Sequence, residues 1–448
     1  MPDILAGLKQ SFAAPAAQLQ SIAVRFQSEI EDGLAGNSSS LKMLRSLLGV
    51  PTGGEKGDFL SLDLGGTNAR AVWIKLLGNG RYIQKQREVI SLNSGRDYRS
   101  ELVQAHELFS FLAELVEQLA RANPGGYEGL GFTFSFPYRQ LGHTRAELVQ
   151  WTKEFRTAGV VGKNVGQLLQ DALTSRNLPA GPELKVVIND TVGTLLTASY
   201  NDRDAHVGSI LGTGHNTCYL EPHEPDSGEP MIINLESGNF GNLPITPFDA
   251  ELDRESGNPG QQRLEKMVSG KYLGEIFRLA VRHLIRHGFC LGQSMPQFFD
   301  APYSLSSEDM STILADTSAP LAGVRAWFEQ QAAVFTSTYS DRAVLKGTAL
   351  MIAQRSSRLA AATYLGILRH LDPELGRHHT IAIDGSLYEK MPGYAANLAQ
   401  ALSEILGGKS ALVTVKPVHD ASQVGAAIAA AMLSAGTTQS ENPGTSSI

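Results

Sequence analysis

The chain has 448 residues, 42% of them hydrophobic and 19% charged, with 45 glycines and a formal net charge of −7. That length exceeds what one core fills, so two domains with room to enclose a small ligand are expected, and the negative balance without any Lys/Arg block argues against nucleic acid. Two cysteines, Cys218 and Cys290, are too few for a disulfide scaffold or a four-thiolate zinc site and read as core residues of a reduced protein. The longest apolar run, Val424 to Leu433, is half of the roughly 20 residues a membrane span needs, so no membrane partner is expected and the expected location is the cytoplasm.

Asp3 to Leu48 shows helical periodicity, which the loop Val50-Pro51-Thr52-Gly53-Gly54 breaks, and a domain boundary falls near Gly57. Phe59 to Leu64 reads as a strand, Gly65-Gly66-Thr67-Asn68 as a tight turn, and Ala71 to Leu77 as the returning strand. Leu108, Leu112, Leu115, Val116 and Leu119 then form the apolar stripe of a helix that must cover this sheet. Val207 to Leu211, Gly212-Thr213-Gly214 and Thr217 to Leu220 repeat the strand, glycine turn, strand order and hint at a duplication. Thr380 to Ile383 leads through Asp384-Gly385-Ser386 into a helix, and Ala411 to Val415 into another, as in α/β crossovers of a second domain. Ser434 to Ile448 lacks periodicity and reads as a disordered tail.

Asp63 delivered into Gly65-Gly66-Thr67-Asn68 gathers backbone N–H groups, a hydroxyl and an amide at one turn, a concavity suited to phosphate oxygens. Taken alone it is equally a glycine hairpin capped by an Asp. The second turn at Gly212-Thr213-Gly214 favours a pair of phosphate clamps, and no Walker loop is present: Gly408-Lys409-Ser410 has Ser403 where the leading glycine belongs. Asp190 follows the apolar strand Leu184 to Ile188, at a junction where Asp is a preferred helix N-cap. The same position suits a carboxylate that orients a hydroxyl and accepts its proton. Ser135, Thr152, Lys153, Asn189, Asn216, Glu236 and Glu265 are the short polar groups that a ring of sugar hydroxyls requires, although each taken singly reads as a solvated or capping residue.

Together these segments resemble the hexokinase family, the eukaryotic-type hexokinases and glucokinases within the sugar kinase/actin/heat-shock ATPase superfamily. The resemblance begins at Ser39-Ser40-Leu41-Lys42-Met43-Leu44 and runs through Gly57 to Asn68, which looks like the family's first phosphate motif. It continues in Gly131-Phe132-Thr133-Phe134-Ser135-Phe136-Pro137, Trp151-Thr152-Lys153, Asn189-Asp190-Thr191-Val192-Gly193-Thr194, Leu211 to Asn216, Asn234 to Gly238 and Glu255 to Gln262. It implies an α/β, two-domain actin-like ATPase (ribonuclease H-like) fold with a sugar-binding cleft between a small domain (58–189 plus about 423–435) and a large one (1–57 plus 190–422), ahead of a tail at 436–448.

The implied reaction transfers the γ-phosphoryl group of ATP to the 6-hydroxyl of a hexose, glucose above mannose or fructose, with Mg²⁺ arriving on the ATP and no dedicated metal site. Ser135, Thr152, Lys153, Asn189, Asp190, Asn216, Glu236, Gln262 and Glu265 would hold the sugar, with Asp190 as base and Lys153 facing the migrating charge. Asp63, Gly65, Gly66, Thr67, Asn68, Arg70, Gly212, Thr213, Asp384, Gly385, Ser386 and Ser422 would serve ATP. Three positions depart from the family: Ala69 for a larger apolar residue, Ser237 for a frequent aromatic one, and Ala421-Ser422-Gln423 for a Gly-Ser-Gly turn. The rival readings are a catalytically silent sugar sensor, which intact Asp190 and Lys153 oppose, and a repressor-related bacterial glucokinase, which needs a cysteine-rich zinc motif that two distant cysteines cannot supply. Monomer and homodimer both remain open.

Overall fold

Alternating burial along Asn68–Gly78 and near-continuous burial along Lys56–Leu64 distinguish a strand with one covered face from one enclosed on both. In the computed structural model, which describes residues 2–122, 126–176, 182–293, 295–332 and 336–436, these two strands pair antiparallel from Lys56↔Leu77 to Leu64↔Ala69. They lie inside a five-stranded sheet ordered Arg81–Ser91, Asn68–Gly78, Lys56–Leu64, Gly129–Phe134, Leu184–Ile188. The first three strands are antiparallel, and the last two add in parallel. The helix Ala105–Ala122 lays Leu108, Leu112, Leu115, Val116 and Leu119 into the core, as its stripe predicts. The carbonyl oxygen of Ala426, on the helix Ala421–Gly436, lies 2.0 Å from where a Cβ on Gly131 would sit, so only glycine lets this helix meet the strand.

Packing divides the chain into two compact units, one of Met1–Lys42, Ile210–Asn216 and Glu236–Pro417, the other of Met43–Ser209, Thr217–Leu235 and the described part of Val418–Ile448. These units divide at 42/43, 209/210, 216/217, 235/236 and 417/418. The five-stranded sheet belongs to the second unit, where Met231–Asn234 also pairs antiparallel with Cys218 to Glu221. Cys218 and Cys290 are both buried free thiols, as expected of core residues. Ser434 to Gly436, expected to begin the tail, instead complete the helix Ala421–Gly436, and from 437 onward the expected tail lies outside the described residues.

The first unit is mainly helical. The single periodic segment expected from Asp3 to Leu48 is two helices, Pro2–Phe12 and Ala16–Leu34, broken at Pro15, which lacks the N–H a continuing helix needs and instead sits as N-cap of the second. Ala16–Leu34 packs on the 33-residue helix Tyr339–Leu371, where a Cβ at Gly366 would stand 2.8 Å from the Ala23 carbonyl oxygen. A capping box of Thr338 and Asp341 starts that long helix. Inside it, buried Arg355 pairs with both oxygens of Asp249 at 2.7 and 2.8 Å. His379–Asp384 and Val413–Pro417 pair in parallel with helices between them, the expected crossover. Gly408-Lys409-Ser410 lies in the 3₁₀ turn Gly407–Leu412 just before the second strand. Among the described residues no helix is long and apolar enough to cross a membrane.

Candidate functional site

In the second unit the chain leaves Leu64 through Gly65-Gly66-Thr67 and re-enters a strand at Asn68, closed by Gly65 N–H donating to Asn68 O at 3.1 Å. Asn68 Nδ2 donates to Thr67 Oγ1 at 3.1 Å, so the turn's polar side chains hold one another at an exposed tip. Behind the tip Asp63 is only 3% exposed. Burial pushes its carboxyl up from the ordinary value, Arg70 opposes that, and the neighbouring charge of Asp190 adds to it. Arg70 donates to Asp63 Oδ2 at 3.1 Å, and Gln423 Nε2 donates to the same oxygen at 2.6 Å.

Asp190 is not the cap of the helix Asp190–Ser199. Asn189 is: its Oδ1 accepts from Thr191 N–H at 3.0 Å and from Thr191 Oγ1 at 2.8 Å, and Asp190 is the first helical residue. Asn189 therefore holds the N-cap position, and Asp190, one residue inside the helix, shares the same orphan donor through one oxygen only. Asp190 Oδ1 also accepts from Thr191 N–H at 2.9 Å, and Oδ2 faces Lys153 Nζ at 3.7 Å.

Lys153 reaches Asp190 because residues 153 and 154 both take left-handed backbone, with φ of 54° and 68°, a conformation that costs a non-glycine residue on the order of 1–3 kcal/mol and clusters at functional sites. Aromatic packing maintains it. Phe134, Phe136, Trp151 and Phe155 meet at centroid distances of 4.7 to 5.9 Å, and the Lys153 ammonium sits 5.6 Å from the Phe136 centroid. A Cβ on Gly66 would come within 3.4 Å of the Lys153 side chain, so the glycine turn and the lysine share one surface. Ser135 lies buried on this loop and Thr152 half-buried beside Lys153. Ser422 is in the first turn of the helix Ala421–Gly436, its carbonyl accepting from Thr133 Oγ1 at 2.8 Å.

The first unit holds the other candidates. Gly212 N–H donates to Gly214 O at 3.1 Å, and Gly212 O in turn accepts from Gly270 N–H at 2.9 Å. Gly385 has φ of 138°, and a Cβ there would lie 2.3 Å from Leu211 O, so glycine is obligatory where the turns at 212–214 and 384–386 abut. Thr213 and Ser386 stay exposed at the rim, with Asp384 half-buried at the end of its strand.

Asn216, Glu236 and Glu265 lie close together. Asn216 Nδ2 donates to Glu236 Oε1 at 3.4 Å, Ser237 N–H donates to Asn216 Oδ1 at 3.2 Å, and Glu265 Oε2 accepts from His215 N–H at 3.1 Å. Gln262 Oε1 accepts from Asn258 Nδ2 at 2.7 Å. Glu236 and Gln262 both have φ of 51°, again strained backbone at polar side chains. His215 is buried and donates from Nδ1 to Ile210 O at 3.0 Å; burial pushes it down to about 4, so it is neutral at pH 7. Its Nε2 lies 3.5 Å from Ser237 Oγ, placing a ring beside the position where the family often has an aromatic side chain.

The structure thus gathers the predicted residues in two sets: Asp63, Gly65, Gly66, Thr67, Asn68, Arg70, Ser135, Thr152, Lys153, Asn189, Asp190 and Ser422 in one unit, and Gly212, Thr213, Asn216, Glu236, Gln262, Glu265, Asp384, Gly385 and Ser386 in the other. Gln423 and Asn258 were not among them. The signal for Gln423 was present as a departure from the family's turn, and for Asn258 as its place within Glu255 to Gln262.

Comparison with known proteins gives a consistent result. Two family models, both described as Hexokinase, match residues 4–200 and 206–432. Rice (Oryza sativa subsp. japonica) Hexokinase-9 is 36% identical over 96% of this chain and 90% of its own length, and tobacco (Nicotiana tabacum) Hexokinase-2, chloroplastic, is 36% identical with the same coverage. The structure of hexokinase from Schistosoma mansoni complexed with glucose superposes with a TM-score of 0.85 at 31% identity, covering 96% of this chain and 98% of that one.

Proposed function

The chain belongs to the hexokinase family, enzymes that phosphorylate hexoses with ATP, and on that premise we propose that it transfers the γ-phosphoryl group of MgATP to the 6-hydroxyl of glucose, the first step of glycolysis, with Asp190 as general base. The observation that carries this reading is the Lys153–Asp190 pair: a carboxylate whose Oδ1 shares the Thr191 N–H with Asn189 while Oδ2 faces an ammonium 3.7 Å away. In the proposed step the sugar oxygen attacks phosphorus, the bond to ADP breaks, and the hydroxyl proton passes to Asp190. Positioning and charge stabilisation do most of the work in such a transfer. Lys153 opposes the negative charge that migrates with the phosphoryl group.

The sugar ligands in the proposal are Ser135, Thr152, Lys153, Asn189, Asn216, Glu236, Gln262 and Glu265. Two carboxylates and two amides at the last four positions suit vicinal hydroxyls, each of which donates and accepts. MgATP would be served by Asp63 with the turn Gly65 to Asn68 and Arg70, and by Gly212, Thr213, Asp384, Gly385, Ser386 and Ser422. The likeness to the glucose-complexed Schistosoma protein supports glucose as a substrate. A cytoplasmic location is supported by the two free, buried thiols. The test is a coupled assay of the purified chain with MgATP across glucose, mannose and fructose: glucose should give sugar 6-phosphate and ADP with the highest kcat/KM. Hexose binding without ADP release would leave a silent sensor in its place.

A further inference from the structure

The hydrogen bond between Gln423 and Asp63 joins residues 360 positions apart, and it exists only because this chain departs from its family. Where the family has the last glycine of Gly-Ser-Gly, Gln423 stands in the first turn of the helix Ala421–Gly436, itself 4% exposed. That helix is pressed against two neighbours by small residues: a Cβ at Gly425 would lie 2.2 Å from Gly193 O, and Gly131 admits Ala426. Thr197 Oγ1 and Thr133 Oγ1 donate to the carbonyls of Ala421 and Ser422 at 2.9 and 2.8 Å, so the turn carrying Gln423 is tied to its surroundings. From this fixed base the amide reaches Asp63 Oδ2, the oxygen already held by Arg70. Among the described residues every hydrogen bond to the carboxylate falls on Oδ2 and none on Oδ1.

We propose that Gln423 is a positioning residue for phosphoryl transfer: with Arg70 it pins Oδ2 of Asp63 and so keeps the other carboxylate oxygen directed to MgATP. A side chain of the same length without a donor would exclude water and leave Oδ2 to Arg70 alone, whose guanidinium would then be free to take both oxygens in a fork, turning Oδ1 away, whereas the family's glycine leaves room for water beside the carboxylate. Besides Arg70, the charged group acting on Asp63 is Asp190, which disfavours its ionised form, while both donors favour it. The proposal rests on the assignment of Asp63 to the nucleotide, so the test separates the two.

Asp63→Asn, Gln423→Met and Gln423→Gly are compared in the full-length protein. Met keeps helix propensity and side-chain length without a donor, and Gly restores the family's residue. The readouts are KM for MgATP and for glucose, direct binding of the magnesium complex of the imido analogue of ATP, and the carboxyl ¹³C titration of Asp63 in the free protein. Gln423→Met is expected to bind nucleotide about tenfold more weakly, with KM for glucose within about twofold, and to titrate Asp63 about one pH unit higher, the equivalent of one charge-assisted hydrogen bond, while Gln423→Gly, which admits water, should stay within about threefold of the parent in nucleotide binding. If Asp63→Asn weakens nucleotide binding while Gln423→Met leaves it and the Asp63 titration unchanged, the positioning role is overturned. If Asp63→Asn leaves nucleotide binding unchanged, the assignment of Asp63 is overturned and the role of Gln423 with it.

Discussion

Asp190→Asn is the sharpest perturbation of the proposed chemistry because the local geometry separates catalysis from folding. The helix Asp190–Ser199 is capped by Asn189, and the substituted amide oxygen can still accept from Thr191 N–H. The stability loss should therefore stay below about 1 kcal/mol, the scale of a lost cap, and shift Tm by no more than about 2–4 °C. Sugar affinity should also survive, since an amide offers both donor and acceptor to a hydroxyl. What disappears is the proton acceptor and the negative partner of Lys153. General-base catalysis contributes about 10²–10⁴-fold, or roughly 2.7–5.5 kcal/mol of barrier, so kcat should fall by at least 10² with glucose and MgATP saturating. Equilibrium glucose binding, thermal melting and kcat on the same preparation decide the matter. A kcat within tenfold of the parent, with normal melting and binding, would refute the role given to Asp190.

Three further outcomes follow from packing and burial. Arg355→Met should cost about 3–5 kcal/mol in chemical denaturation, because Asp249 is buried and its ionised carboxylate loses its cation, Thr246 holding Oδ2 but not Oδ1; a loss under 1 kcal/mol would contradict this. Gly131→Val should sharply reduce soluble folded protein, since even a Cβ there overlaps the Ala426 carbonyl, whereas Gly36→Ala, with nothing within 4 Å, should melt within about 4 °C of the parent despite φ of 77°. His215, held neutral by burial with a value of about 4 against 6.5 when unfolded, contributes nothing above pH 7, but below pH 6.5 the unfolded state takes up a proton that the folded state refuses. Between pH 6.5 and 4 this linkage should remove on the order of 3 kcal/mol, and His215→Gln should flatten the decline of stability over that window; an unchanged acid slope would remove His215 from the cause.

Much of the site was legible in sequence because its signals are local. The strand at 56–64, the glycine turn after it, the strand ending before Asn189-Asp190 and the amphipathic helix at 105–122 each follow from patterns within a dozen residues, where periodicity and turn chemistry act. The segments that carry the family resemblance are local in the same sense. Pro15 is a local signal of the same kind, and it divides the first helical segment in two.

What tertiary structure alone decided is which side chains face one another. Whether Asn189 or Asp190 caps the helix turns on backbone angles that both residue types tolerate, and the outcome leaves Asp190 Oδ2 to face Lys153. Lys153 itself points there through a left-handed backbone that no propensity favours, stabilised by aromatic rings from Phe134 to Phe155. Gln423 read as a flaw in a nucleotide motif until the helix carrying it was packed on the sheet and its amide met Asp63. Local energetics shape each element from its own residues, but a contact spanning 360 positions depends on how elements pack, which glycines at 131, 193 and 425 permit here by letting backbones approach closely.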